Sequence, residues 1–586
     1  MSDAPHGSMA DYTNLVALAE ASVAHFARRP LFGERHDGRW EWLSYAGWHD
    51  RVAAMRARLA QLGIAAGDHV AIVSRNSAAW ATAAYATYGL GAVFVPMYEA
   101  QRADDWEFIL RDCGAAVVLA RTPELAAKLR EMQPRLPALR HVVTIEGDEP
   151  AAAEPVAVRY PQPEDVAGLI YTSGTTGRPK GVMLTHRNLT SNVLATLACF
   201  PIGPEDRTVS FLPWAHVYGQ VGELHILVAA GASTAFNTNI DQLLADLREV
   251  KPTILVAVPR VFNKLYAAVR DGIAARGRVI RAVFRRGLAA AIRRGRGERV
   301  GLGDRMVAWL AGRLFARVRD QLGGRLRYAL SGSATLSREV AEFIDAIGIP
   351  VYEGYGLTET SPIVTLNRPG QRKLGSVGLP IDGVRVEIGP DDEIIVHGPN
   401  VMKGYHGRPE ENARAFTADG GLHTGDLGYV DRDGYLFITG RIKEQFKLEN
   451  GKYVMPSSLE EQLAMSPYIA NVVLHGANRP HSVALVAIDG ARVRAWGHER
   501  GVALGDSLIA DPRVRALIEG EVARLSKSFR SYERPRAVAL IDAAFTIDNG
   551  LLTPTLKLKR REVDARYGQV LAGLYAPSPG ATATAS

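Results

Sequence analysis

Apolar residues recur at helical spacing over 15–27 and 47–62, and then give way to a short continuous apolar run, His69-Val-Ala-Ile-Val-Ser74. A run of that length, rich in β-branched residues, predicts a strand buried on both faces. A helical stretch over 77–90 leads to a second such run, Ala92-Val-Phe-Val-Pro96, and Ala115-Ala-Val-Val-Leu-Ala120 and His141-Val-Val-Thr-Ile145 continue the series. Buried strands alternating with helices predict an α/β fold with parallel, doubly wound sheet. The acidic, proline-containing stretch over 140–165 reads as a connector to the next strand, Ala167-Gly-Leu-Ile-Tyr171. Beyond it the alternation repeats, with helices from about 187 and over 224–229 and strands over 208–212 and 253–258.

The rhythm changes over 263–322, where Arg276, Arg278, Arg281, Arg285, Arg286, Arg293, Arg294, Arg296 and Arg299 sit among Val, Ile, Phe, Leu and Ala. Two readings stand side by side: a solvated helical hairpin, or a basic amphipathic surface that docks on an anionic membrane. A nucleic-acid stripe is disfavoured, because stacking aromatics are scarce there. Strands resume over 326–330 and 350–353, and 378–440 is rich in glycine, charge and β-formers. After Arg441 the composition is that of a small α+β domain with a long helix near 512–526. The expected organisation is a large N-terminal domain over 11–440 carrying doubly wound sheets and a β-rich subdomain, then a small mobile α+β domain over 441–575. Residues 1–10 and 576–586 are expected to be disordered.

At 586 residues the chain exceeds what one core organises. Two cysteines rule out a disulfide framework and suit a reducing cytosol, and no apolar run is long enough to span a bilayer. The polar start shows no signal peptide, so a cytoplasmic protein is expected, with peripheral contact at the inner face of a membrane through the arginines from Arg276 to Arg299. A net charge of +7 points to anionic ligands or surfaces without choosing among them.

Candidate chemistry narrows that choice. Tyr171-Thr-Ser-Gly-Thr-Thr-Gly-Arg-Pro-Lys-Gly181 combines hydroxyls, glycines and two cations. Glycines let successive N–H groups converge on one anion, so the loop suits a polyphosphate. It is not a Walker A loop, and Pro179 argues against a helix starting at Lys180. Tyr355-Gly-Leu-Thr-Glu-Thr360 offers an aromatic face for a base, a hydroxyl for a phosphate and a carboxylate for Mg²⁺. In His423-Thr-Gly-Asp-Leu-Gly428, Asp426 is either a turn cap or an acceptor for two ribose hydroxyls. Arg441 and Lys443 end a predicted strand, Gly451 lies beside a lysine, and Leu552-Thr-Pro-Thr-Leu-Lys-Leu-Lys-Arg560 carries Lys557. His216, Glu223 and His225 are not at zinc-binding spacing.

Taken in this order, the motifs resemble the adenylate-forming superfamily, the acyl-CoA synthetases, and within them the long-chain fatty acid–CoA ligase branch, from about residue 12 to about 575. The resemblance implies ATP-dependent activation of a fatty acid through an acyl-adenylate to acyl-CoA, with ATP, Mg²⁺ and coenzyme A required. By this resemblance Thr172, Ser173, Gly174, Thr175, Thr176, Gly177 and Lys180 hold the ATP phosphates, with Thr175 and Glu359 at the metal. Ser331, Gly332, Ser333, Ala334, Tyr355 and Gly356 line the adenine site, Thr358 meets the α-phosphate, and Asp426 and Arg441 fix the ribose. Lys557 matches the catalytic lysine, Lys443 the hinge, His216 the mouth of the acyl site, and Gly451 the CoA-facing loop. The chain departs from the branch pattern at Lys452, where glutamate is common after the glycine, and at Gly440, where an acid usually precedes the arginine. Other readings are a fatty acyl-AMP ligase, a CoA ligase for an aryl or medium-chain acid, and a non-catalytic nucleotide- or lipid-sensing module on the same fold. The expected partners are the fatty acid and no nucleic acid, with the protein a monomer or homodimer.

Overall fold

The apolar runs become strands because both of their faces are covered. The computed structural model describes residues 12–146, 154–172, 178–553 and 557–575. Strand His69–Val73 sends Val70 and Ile72 into one hydrophobic core and Ala71 and Val73 into another, so no polar position interrupts it. It lies in a seven-stranded sheet ordered Gly404–Tyr405, Lys180–Thr185, Val166–Thr172, Val93–Met97, His69–Val73, Val117–Ala120, His141–Thr144. Neighbours among the last five are parallel, as the alternation predicts, whereas Lys180–Thr185 and Gly404–Tyr405 add on antiparallel.

A second sheet has five strands, and its first three, Ile254–Ala257, Tyr328–Ser331 and Val351–Gly356, run parallel. A third joins the hairpin Pro30–His36/Arg39–Ser44 to Ser233–Phe236 and Arg207–Ser210. The apolar pattern does not flag that hairpin, because Arg39–Ser44 lies at a sheet edge and has no fully buried position to mark it.

The described chain divides into two compact units: residues to Thr424 with Tyr429–Phe437, and Gly425–Gly428 with the residues from Ile438 on. In the second unit strand Val483–Ile488 is buried along its whole length. Its alternate residues feed two cores, one with helices Pro456–Leu463 and Pro512–Leu525 and the other with helix Arg560–Gly573. The arginine-rich stretch of the first unit forms three helices, Pro259–Ala274, Arg278–Gly295 and Leu302–Gln321. The two terminal segments expected to be disordered lie outside the described residues.

Candidate active site

In the first unit the parallel strands of the second sheet end at Ala257, Ser331 and Gly356, and ligands of open α/β sheets gather at such carboxyl ends. Ser331 is buried, and its hydroxyl finds no hydrogen-bond partner among the described residues. Gly332 lies close under the Tyr218 ring, 3.0 Å from where a Cβ would stand. Tyr218 donates from its hydroxyl to the Ala257 carbonyl (3.2 Å), and its N–H donates to Nδ1 of His216 (3.2 Å). His216 caps the short helix Val217–Gln220, and Tyr218 links it to the strand ends. Ser333 takes φ +72°, turning the chain, and Ala334 is exposed.

Tyr355 and Gly356 close strand Val351–Gly356, and the turn Thr358–Thr360 follows at once. A Cβ on Gly356 would sit 1.7 Å from the Pro362 carbonyl oxygen, so only glycine lets the two backbones pass. The Leu357 N–H donates to that same carbonyl (3.1 Å), and Thr360 Oγ1 donates to it at 2.6 Å. These bonds fix the backbone that presents Glu359 and the buried Thr358.

The phosphate-loop motif connects two antiparallel strands, with Thr172 opposite Lys180 and Tyr171 opposite Gly181. Lys180 thus begins a strand, in keeping with Pro179 before it. Ser173, Gly174, Thr175, Thr176 and Gly177 lie outside the described residues. Strand Gly404–Tyr405 pairs with Lys180–Thr185, and the Tyr405 ring centroid lies 5.2 Å from Lys180 Nζ. The Tyr405 hydroxyl in turn donates to Glu359 Oε1 (2.9 Å), and Lys180 is ion-paired with Glu411 at 3.1 Å. Tyr171 and Arg408 both donate to Asp112, at 2.7 and 2.9 Å, which anchors the strand leading into the loop.

Glu223 carries a role that no motif announces. It is wholly buried on the π-helical turn Val221–His225. It accepts from Ser210 Oγ at 2.6 Å and from the Phe211 and Leu212 N–H groups at 3.5 Å, so it braces the segment leading to His216. Its neighbour His225 is engaged with the Tyr85 hydroxyl (2.8 Å), and among the described residues no cluster of three His, Cys, Asp or Glu could hold a metal. A carboxylate among apolar residues is the only signal the sequence offers for Glu223.

Burial pushes the Glu223 carboxyl up from an ordinary value of 4.5 to about 8. The folded state therefore keeps a proton that the unfolded chain releases, and the associated stability, full below 4.5, is lost as pH rises through about 8. Glu223→Gln should flatten this decline, worth on the order of a few kcal/mol at about 1.4 kcal/mol per pH unit. Urea unfolding of both proteins at about pH 5 and about pH 8 checks it. Equal losses of stability between the two pH values would refute the assignment.

The second unit holds the remaining sequence-predicted residues. Asp426 is buried and ion-paired with Arg441 Nε, which places the two ribose candidates side by side. Lys443 is exposed in the turn just past strand Leu436–Arg441, where the Glu444 and Gln445 N–H groups both donate to the Arg441 carbonyl. Gly451 takes φ +81° in the turn between the short strands Phe446–Lys447 and Tyr453–Val454. Lys452, one of the two departures, lies over the Tyr532 ring at 4.8 Å. Lys557 is exposed, and its N–H and carbonyl are both bonded to Thr553, at 3.0 and 2.8 Å.

The residues present would fit Mg²⁺ at Glu359, a single carboxylate linked through the Tyr405 hydroxyl to the ring that faces Lys180, with substrate phosphates and water completing the ion's shell. The buried Ser331 hydroxyl at a strand end likewise suits a polar ligand.

The AMP-binding enzyme family model matches residues 19–406. The long-chain-fatty-acid–CoA ligase FadD15 of Mycobacterium bovis is 35% identical over 571 residues, covering 92% of this chain and 93% of the relative. Human long-chain-fatty-acid–CoA ligase 1 is 30% identical, covering 96% of this chain and 87% of the relative. Among solved structures, the AMP-bound A-PCP didomain of a Segniliparus rugosus carboxylic acid reductase superposes with a TM-score of 0.75 at 23% identity, covering 97% of this chain and 83% of that one. The chain belongs to the AMP-binding enzymes, in the long-chain fatty acid–CoA ligase branch of the adenylate-forming superfamily.

Proposed function

We infer that the protein is an AMP-forming long-chain fatty acid–CoA ligase, converting fatty acid, ATP and CoA to acyl-CoA, AMP and pyrophosphate. The observation that carries this reading is whole-length similarity to ligases of that class, at 30–35% identity over more than nine tenths of the chain.

A carboxylate is a poor electrophile at carbon, so the acid is first joined to AMP. One carboxylate oxygen attacks the α-phosphorus, and the bond to the bridging oxygen breaks to release pyrophosphate. Two anions must meet for this, and a lysine about 4 Å from a phosphate oxygen offsets roughly 4 kcal/mol of the repulsion at an effective dielectric near 20. In this reading Lys180, Thr172 and the loop residues 173–177 hold the phosphates, Thr358 meets the α-phosphate, and Lys557 supplies the transition-state charge. Mg²⁺, held by Glu359 and Thr175, would add Lewis-acid charge at the phosphates. Ser331 to Ala334, Tyr355 and Gly356 receive adenine, Asp426 and Arg441 the ribose, and His216 guards the acyl entrance. No general base is needed in this step, because the acid is already ionised.

The CoA sulfur then attacks the acyl carbon, the thiol proton is released, and the C–O bond to AMP breaks. Rotation of the smaller unit about Lys443 would withdraw Lys557 and bring the Gly451 turn to CoA. Each buried methylene contributes about 0.8 kcal/mol, so eight more carbons favour a long acid by roughly 6 kcal/mol. A bilayer offers the acid much the same, which favours collecting substrate at a membrane through the arginines from Arg276 to Arg299. No helix among the described residues is long and apolar enough to cross one.

Pyrophosphate release with fatty acids of graded length, with and without CoA, tests the reading. CoA-dependent turnover that grows with chain length is expected. Release without thioester formation would instead indicate a fatty acyl-AMP ligase, and a preference for aryl or medium-chain acids the other CoA ligase.

The pair Lys180–Glu411 adds a quantitative expectation. Its side chains are 29% and 37% exposed, so it is worth no more than about 1 kcal/mol. Glu411→Gln should free Lys180 for ATP and lower the KM for ATP by roughly two- to five-fold. An unchanged or higher KM in steady-state assays would show that Glu411 does not compete with the nucleotide.

A further inference from the structure

Helix Leu302–Gln321 is apolar on two opposite faces, and only one of them is covered. Its inner face carries Ala311 and Phe315, both buried, against helix Arg278–Gly295. The Phe284 and Phe315 rings meet edge to face at 5.5 Å, and a Cβ on Gly287 would sit 2.2 Å from the Ala311 Cβ. The two helices touch backbone to side chain there, so the inner face is complete.

The outer face presents Leu302 (82% exposed), Met306 (64%) and Trp309 (65%), followed by Arg313. At 100° per residue these four positions fall within roughly 60° of one another, along about 16 Å of helix. The Arg313 guanidinium lies 5.5 Å from the Trp309 ring centroid, and Arg305 and Arg317 flank the stripe on either side. Asp304, the acid of the first turn, points inward, where Arg286 and Arg293 hold it at 2.8 and 2.5 Å. From Arg276 to Arg313 the sequence has eleven arginines and two acids. An exposed ridge of large apolar side chains in a cationic frame is uncommon on a protein that stays in water.

We propose that this outer face, Leu302, Met306 and Trp309 framed by Arg305, Arg313 and Arg317, is a membrane-docking surface that lies in the headgroup layer of an anionic bilayer. Charge decides the occupant. A second copy of this chain would set one arginine frame against another, whereas anionic lipid complements it while the acyl boundary takes up the apolar ridge. Tryptophan favours that boundary, and the helix lies along the surface, no described helix being suited to cross. The ridge lies beyond the arginine run from Arg276 to Arg299, so the arginines attract and the ridge inserts. The advantage of docking, though not the docking itself, rests on the fatty acid reading above.

The test is flotation of the full-length protein, without substrates, on phosphatidylcholine vesicles with and without phosphatidylglycerol. Binding is expected only with phosphatidylglycerol, and the double variant Met306→Glu/Trp309→Glu should weaken it at least tenfold. CoA-thioester formation from a short, water-soluble acid without vesicles should stay unchanged, which reports that the variant is folded. Equal binding of wild type and variant, equal binding to both vesicle types, or none at all overturns the proposal. So does a wild-type dimer, seen by light scattering, that the variant converts to monomer without changing flotation. Because flotation needs no turnover, failure of docking and failure of the ligase reading are separately visible.

Discussion

Lys557→Ala should lose adenylation by roughly 10²–10³-fold, the cost of removing one preorganised charge donor from a transition state. Thioester formation from pre-made acyl-adenylate should be nearly unaffected, since the proposed cycle gives Lys557 no part in the attack of sulfur on the acyl carbon. Two features favour a clean experiment. The Lys557 side chain is exposed, so its truncation leaves no cavity. Its own N–H and carbonyl are bonded to Thr553, and the substitution keeps both bonds. ATP–pyrophosphate exchange reads the first half-reaction, and thioester release from supplied adenylate the second. Equal loss in both would sink the assignment.

Gly356→Ala should abolish adenylation and destabilise the first unit by more than about 4 kcal/mol. The new Cβ would lie 1.7 Å from the Pro362 carbonyl oxygen and 2.7 Å from its carbon, both backbone atoms that no rotamer change can move aside. The strand must shift, and with it the Leu357 and Thr360 bonds to that carbonyl and the placement of Thr358 and Glu359. Stability in chemical unfolding and exchange activity should fall together. Gly332→Ala makes a useful contrast, because its obstacle, 3.0 Å away, is the Tyr218 side chain, which can yield. A Gly356→Ala protein as stable as the wild type would show that the two backbones are not locked as described.

Much of the fold was legible because its strands are buried on both faces. His69–Val73 and Val93–Met97 read as continuous apolar runs since each serves two cores. Strand Arg39–Ser44 was not legible, for an edge strand needs no such run. The candidate residues Lys180, Glu359 and Asp426 are marked by their glycine- and hydroxyl-rich surroundings, whereas Lys557, on a largely apolar segment, is marked only by the family resemblance. Glu223 lacks such surroundings, and only its burial against Ser210 gives it meaning.

The sequence by itself determined the α/β alternation and the residue types available for a nucleotide, because local spacing and turn chemistry carry that information, and it pointed to the family through the resemblance of its ordered motifs. Partners were decided only by the tertiary structure. Lys180, Tyr405, Glu411 and Glu359 meet because Gly404–Tyr405 adds to the edge of a sheet begun far earlier in the chain, and no local pattern encodes sheet order. The same holds for helix Leu302–Gln321. Its spacing shows where apolar residues point, but only packing shows that Ala311 and Phe315 are covered while Leu302, Met306 and Trp309 face outward. Helical periodicity is a property of one element, whereas exposure depends on every element that packs against it.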